Sequence, residues 1–196
     1  MSKTVLGFDI SSETIGYCIL EIDEQLGTTK YIDMNYLKPS KNGSLMERIV
    51  DTRDKILDIV KKIKPDYIGI EDLIKFMPKS TATTVVVLTT FNRMICLLSY
   101  DYLGHHPELF NVMTIRHGLK LNKILPKKEE IPNLVAKHLG ITFPYIYKTS
   151  KKKGKTVAPV SEDMADGVAV ALYYAFVLTG KVKKKNPKAK KSNVKS

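Results

Sequence analysis

Four carboxylates in this chain stand at places where an acid calls for an explanation. Asp9 closes the apolar run "VLGFDI", Glu71 closes "YIGIED", and Asp163 and Asp166 open "DMADGVAVALYYA". Singly, each has an ordinary account. Asp9 suits a turn aspartate bonding its own backbone, Glu71 beside Asp72 an acidic loop start, and Asp163 a helix first turn, where the macrodipole favours acids. Yet a charge at the end of an apolar strand occurs twice, and residues three apart on a helix share a face, so Asp163 and Asp166 can point at one spot. If the two strands are neighbours and the helix crosses their ends, all four meet. Crowded carboxylates repel and raise one another's pKa. A hard divalent cation relieves the repulsion and takes further oxygen ligands from phosphates. Two such ions stabilise both the attacking and the leaving oxygen in phosphodiester cleavage. The expected cofactor is Mg²⁺.

Positive charge is placed to complement them. The 196-residue chain carries a net charge of +12, but residues 181–196 alone hold eight lysines and no acids. Residues 114–155 hold eleven Lys or Arg against two acids, and the remainder is mildly acidic. Clustered cations release condensed counterions when they meet a polyanion, so the expected partner is nucleic acid. Cys18 and Cys96 are too few for a disulfide framework or zinc site, and His105, His106 and His138 offer no metal-ligand spacing with them. No apolar stretch reads as long enough to span a bilayer, and no basic-then-apolar leader precedes the first strand. The expected setting is a reducing cytoplasm, or a host cell's cytoplasm for a phage or viral protein.

The elements that must position these residues are legible in outline. Residues 4–9, 15–22 and 28–37 are β-rich runs, close enough to form an antiparallel meander. Ser44 with Glu47 three residues on is a capping-box pattern before "LMERIVDTRDKILDIVKKIK", and Pro65 ends that helix. "DYIGIED" is a short buried strand. The stretch 79–103 contains the β-branched "TTVVVLTTF", but no turn signal interrupts it. Phe91, Ile95, Leu98 and Tyr102 recur at helical spacing, so it reads as one long helix. Residues 109–116, "LFNVMTIR", read as a strand, "EEIPNLVAKHLG" as a short helix closed by Gly140, and 161–179 as a final helix starting at Ser161. The fold class is α/β: a mixed five-stranded sheet flanked by helices, with residues 1–180 as one domain and 181–196 as a disordered tail. Tyr173 and Tyr174 read as packing residues.

The segments "GFDISSETIGYCIL", "YIGIED", "NRMICLL" and "DMADGVAVALYYA" resemble, in order and spacing, the motifs of RuvC-like Holliday junction resolvases of the ribonuclease H-like superfamily, over roughly residues 3–178. The resemblance implies a homodimer that nicks two strands of a four-way DNA junction with Mg²⁺ or Mn²⁺. It also implies a metal-binding catalytic set of Asp9, Glu71, Asp163 and Asp166, in which Asp9 bridges two metals and an activated water leaves a 5′-phosphate. The dimer is expected to form through the face bearing the 79–103 helix. Family members usually carry an aromatic three residues after the glutamate. Ile74 stands there, and Phe76, two residues later, is either a substitute DNA contact or a core packing residue. The segment "RHGLKLNKILPKKEE" offers Arg116, Lys120, Lys123, Lys127 and Lys128 for backbone contact or for easing charge in the transition state. "YIYKTSKKKGKTVAP" is longer than the usual link and offers Lys148, Lys151, Lys152, Lys153 and Lys155 as a DNA-gripping loop.

Three other readings use the same residues. A less selective branched-DNA or RNA–DNA hybrid nuclease needs the same acids. An actin-like or sugar-kinase ATPase needs a second lobe, and no second copy of the Asp9 motif follows. A non-catalytic DNA-binding protein leaves four acids beside phosphate without purpose.

Overall fold

The structure, a computed structural model, describes residues 1–73, 81–121, 124–143, 145–147, 155–157 and 159–183, of which 145–147, 155–157 and 159–161 are described by backbone alone. Strands β1 (Ser2–Ile10), β2 (Ile15–Asp23) and β3 (Thr28–Leu37) form the expected meander. The β1–β2 turn is built around Ser11, whose Oγ accepts from the Thr14 N–H at 2.9 Å and donates to the Thr14 carbonyl at 2.7 Å. Helix α1 (Leu45–Ile63) starts on the full capping box of Ser44 and Glu47. It delivers β4 (Tyr67–Glu71), which runs parallel to β1.

Helix α2 (Ala82–Leu103) is the long helix expected from the sequence, capped by Thr81, whose Oγ1 accepts from the Thr84 N–H at 3.2 Å. Tertiary burial of Val87, Phe91 and Ile95 outweighs the β propensity of its valines. One expectation is corrected here. By length and composition α2 is apolar enough to cross a bilayer. Its inner face, however, packs on the sheet, and the apolar outer face, with Val86 and Leu97 more than half exposed, is what raises its hydropathy.

The strand expected over 109–116 is also corrected. Strand β5 is only Glu108–Phe110, and Val112–Leu119 form helix α3. Asn111 ends the strand by capping the helix, its Oδ1 accepting from the Met113 N–H at 2.9 Å. Ile115 and Leu119, four apart, are the buried pair. A 3₁₀ turn (Lys128–Glu130) leads into α4 (Ile131–Leu139). Strand β6 (Tyr145–Tyr147) pairs antiparallel with β7 (Lys155–Val157). Helix α5 (Pro159–Leu178) begins two residues before Ser161, with proline in its opening turn.

The main sheet has the order β3-β2-β1-β4-β5, with β4 and β5 parallel to β1. Helices α1 and α2 cover one face through Leu6, Phe8, Ile10, Ile15, Ile68 and Ile70. Helix α5 covers the other against Val5, Cys18, Leu20 and Ile22, and α3 and α4 pack behind it. Sandwiched in this way, α5 is buried almost continuously from Ala165 to Ala175. Tyr173 and Tyr174 are packing residues, as expected, each 5.1 Å from the Phe110 ring.

Candidate active site

Side chains alternate along a strand, and that alternation decides where the acids go. On β1 the even positions face α1 and α2, so Val5, Gly7 and Asp9 face α5. On β4, Ile68 and Ile70 face α1 and α2, which turns Gly69 and Glu71 toward α5. Phe8 pairs with Ile70 in parallel register, so Asp9 and Glu71 emerge one step later, side by side on the same face.

Glycines bring α5 down to meet them. Gly16, the antiparallel partner of Asp9, lies directly under the Asp163 carbonyl, where a Cβ would overlap backbone. Gly167 returns the contact, since a Cβ there would meet the Gly16 carbonyl at 2.9 Å. Gly7 gives the same clearance to Ala171. These close approaches set the first turns of α5 over the ends of β1 and β2. Asp163 joins Asp9 and Glu71 in lining a cleft of about 190 Å³. Asp166 borders an adjoining hollow of about 240 Å³.

The electrostatics are those of crowded, desolvated acids. Burial pushes Asp9 well above the usual carboxylate range, and Glu71, Asp166 and Asp163 push it further. Glu71 is pushed up to about 7, first by burial and then by Asp166. Burial also raises Asp166 and Asp163. Two cations oppose these shifts. The Lys128 ammonium lies 3.3 Å from Asp166 Oδ2 and also lowers the pKa of Asp9 and Glu71. Arg116, on α3, lowers that of Glu71 and Asp166, and its Nε is buried with no hydrogen-bond partner among the described residues.

Among the described residues, no three His, Cys, Asp or Glu side chains are arranged to close around a metal ion. The acids share one strand-end region and one another's fields, and Lys128 stands among them. Chemically the set is all hard oxygen, crowded and short of compensating charge, which suits Mg²⁺ or Mn²⁺.

The expected DNA contacts divide. Lys128 pairs with Asp166, and Arg116 acts on Glu71 and Asp166 through its charge. Lys120 and Lys127 are exposed, and Lys120 lines a different hollow with Ile124, Asn133 and Lys137. Phe76, Ile74, Lys123, Lys148, Lys151, Lys152 and Lys153 lie outside the described residues, as does the tail beyond Lys183, and Lys155 is placed by backbone alone on β7. His138 Nε2 lies 2.9 Å from the Leu119 carbonyl, and its ring stacks edge-on to Phe176.

Sequence reasoning missed three supporting residues. Thr14 is buried and its side chain hydrogen-bonds the Asp163 carboxylate. Asn92, 1% exposed on α2, donates from Nδ2 to the Glu71 carbonyl at 3.1 Å and fixes the end of β4. Gly16 provides the clearance for α5. A buried asparagine in an apolar helix and a glycine opening a strand were the available signals.

The mixed five-stranded sheet with flanking helices is a ribonuclease H-like fold. No family model matches the chain. It is similar to the RuvC crossover junction endodeoxyribonuclease of Fusobacterium nucleatum, with 26% identity over 186 residues covering 91% of this chain and 83% of the relative. It is likewise similar to that of Prochlorococcus marinus, with 24% identity covering 88% and 97%. In structure it matches Thermus thermophilus RuvC, solved in complex with Holliday junction substrate, at a TM-score of 0.70, 16% identity and coverage of 91% and 96%. The resemblance and the fold class expected from the four motifs are borne out.

Proposed function

We propose that this chain is a metal-dependent, structure-selective DNA endonuclease that resolves four-way junctions by paired nicks leaving 5′-phosphate ends. The observation that carries the reading is the side-by-side emergence of Asp9 and Glu71 under the first turns of α5, which bear Asp163 and Asp166. The RuvC relatives and the junction-bound neighbour support it.

Asp9, Glu71, Asp163 and Asp166 would hold the ion. A divalent cation there would supply Lewis-acid activation of water and neutralise charge developing on the scissile phosphate. The chain's own residues do the rest. Withdrawal from water keeps the acids proton-binding until a cation compensates them. Thr14 and Asn92 fix the directions of Asp163 and of the β4 end. Arg116, Lys120 and Lys127 are the candidates for contact with the DNA backbone, with residues 1–180 as the nuclease domain and the lysine tail as a further source of positive charge.

Two cuts related by the symmetry of a four-way junction call for two sites, and a second copy would supply the other. The outer face of α2 offers the surface. Leu97 and Tyr100 are exposed, and with Cys96, His106, Pro107 and Leu109 they line an apolar groove of about 470 Å³.

The test is Asp9→Asn assayed on a synthetic four-way junction, a flap and an RNA–DNA hybrid. Junction cleavage falls by more than the roughly 10- to 100-fold expected for losing an outer-shell partner, while junction binding persists. Unchanged cutting sinks the carboxylate argument, and equal cutting of all three substrates by the unmodified protein sinks the junction selectivity.

A further inference from the structure

The Lys128 side chain is anchored at one end only. Its backbone opens the 3₁₀ turn, held by the Lys127 N–H donating to Glu130 Oε2 at 2.6 Å. The side chain itself remains 64% exposed, against 15% for its partner Asp166. The contact between them is an N···O approach of 3.3 Å. From this position the ammonium also acts on Asp9 and Glu71. Lys128 borders two hollows: the cleft with Asp9, Glu71 and Asp163, and the adjoining one with Glu129, Glu162 and Asp166.

A divalent ion would have to use the same carboxylates. Two cations cannot share them without mutual repulsion, so entry of one weakens the hold of the other. The lysine has somewhere to go, because the adjoining hollow has room and two further acids on its walls. The ammonium end of the pair is largely exposed, so water solvates it when the pair opens, which makes the exchange reversible.

The geometry points to Lys128 as a built-in competitor cation: it neutralises Asp166 and its neighbours, lowers the site's affinity for a divalent ion, and swings toward Glu129 and Glu162 when the ion enters. This rests on the metal-dependent reading above. In that reading Lys128 is a positioning residue, acting on the reaction through the carboxylates.

The experiment is a calorimetric titration of Mn²⁺ into the chelator-stripped full-length protein, without DNA. Lys128→Met binds Mn²⁺ roughly three- to tenfold more tightly than the unmodified protein, the scale expected for removing one partly exposed charge pair. Lys128→Arg, which keeps the positive charge, binds as the unmodified protein does. Lys61→Met, which removes a charge from the remote α1, does the same. Binding by Lys128→Met that is equal to or weaker than that of the unmodified protein overturns the competitor role while leaving the metal site standing. Absence of Mn²⁺ binding in all four proteins overturns the metal reading and this inference together.

Discussion

On one face of β1 stand Leu6, Phe8 and Ile10, and on the other Gly7 and Asp9. The same alternation divides β4 into Ile68 and Ile70 against Gly69 and Glu71. Toward α1 and α2 the strands present bulk, and the helices stay at the distance that branched and aromatic side chains set. Toward α5 they present glycine, and the helix descends until its backbone touches theirs. Close approach is what brings two carboxylates on a helix to two carboxylates on strands. One face is packed by bulky side chains throughout, and the other, also part of the core, gives up side-chain volume at Gly7, Gly16 and Gly69 to build a site. If that division is real, damage to the two faces should separate stability from activity.

The largest expected effect lies on the bulky face. Ile56, fully buried on α1, packs within the cluster that covers Phe8 and Ile70. Ile56→Ala should cost about 2–5 kcal/mol of unfolding free energy, measured by denaturant titration. Junction cleavage per folded molecule should be unchanged. A large fall in that specific activity would mean that the two faces are not separable.

Gly16→Ala reverses the pattern. The added Cβ overlaps the Asp163 backbone, so α5 must shift. The stability cost should be about 1–3 kcal/mol, as for overpacking elsewhere. Cleavage should fall about 100-fold, the scale associated with misplacing a reacting group by 1 Å. Retention of full cleavage would show that the glycine clearance does not position the acids.

The sequence announced much of this, and its failures have physical causes. The four acids were legible because a charge terminating an apolar run violates the local pattern. That β1 and β4 are neighbours stood only as a condition, because two strands and a helix separate them in the chain; the parallel ladder from Val5–Tyr67 to Phe8–Ile70 meets it. What was illegible was local competition. "LFNVMTIR" is β-rich in composition, yet Asn111 caps a helix in its middle, and no propensity sum registers one hydrogen bond. The lysines of 114–155 were all equivalent as letters, and only the 3₁₀ turn distinguishes Lys128, which reaches Asp166, from Lys120, which does not. Likewise α2 looks like a candidate span because its outer face is apolar without being buried in this chain.

A third test is of charge rather than shape. Glu71 is pushed up to about 7, and Asp9, Asp163 and Asp166 also lie above their ordinary values. The folded state therefore holds protons that the unfolded state releases near pH 4, and stability contributed by these groups is lost as pH rises toward 7. The chelator-treated protein should lose on the order of 2–3 kcal/mol between about pH 4.5 and 7, read from denaturant curves. Asp66 and Glu47, whose pKa values are lowered, act in the opposite sense but at lower pH. Mn²⁺ should flatten the slope, and Asp9→Asn should reduce it. A flat profile in chelator would mean that the acids are not crowded in solution.

The smallest effect isolates a single hydrogen bond on the α5 side. Thr14 is buried at the end of the Ser11 turn, and its side chain reaches the Asp163 carboxylate. Thr14→Val keeps the volume and removes the donor, so the glycine-cleared seat of α5 is left as it was. Freed from that bond, Asp163 loses an interaction that lowers its pKa and limits its rotation. Cleavage should fall about tenfold, within the range for an outer-shell partner of a metal-binding carboxylate. Raising Mn²⁺ should recover part of the loss, because the defect is one of holding the ion. A tenfold loss that Mn²⁺ does not relieve would place the role of Thr14 in shaping the turn rather than in orienting the acid.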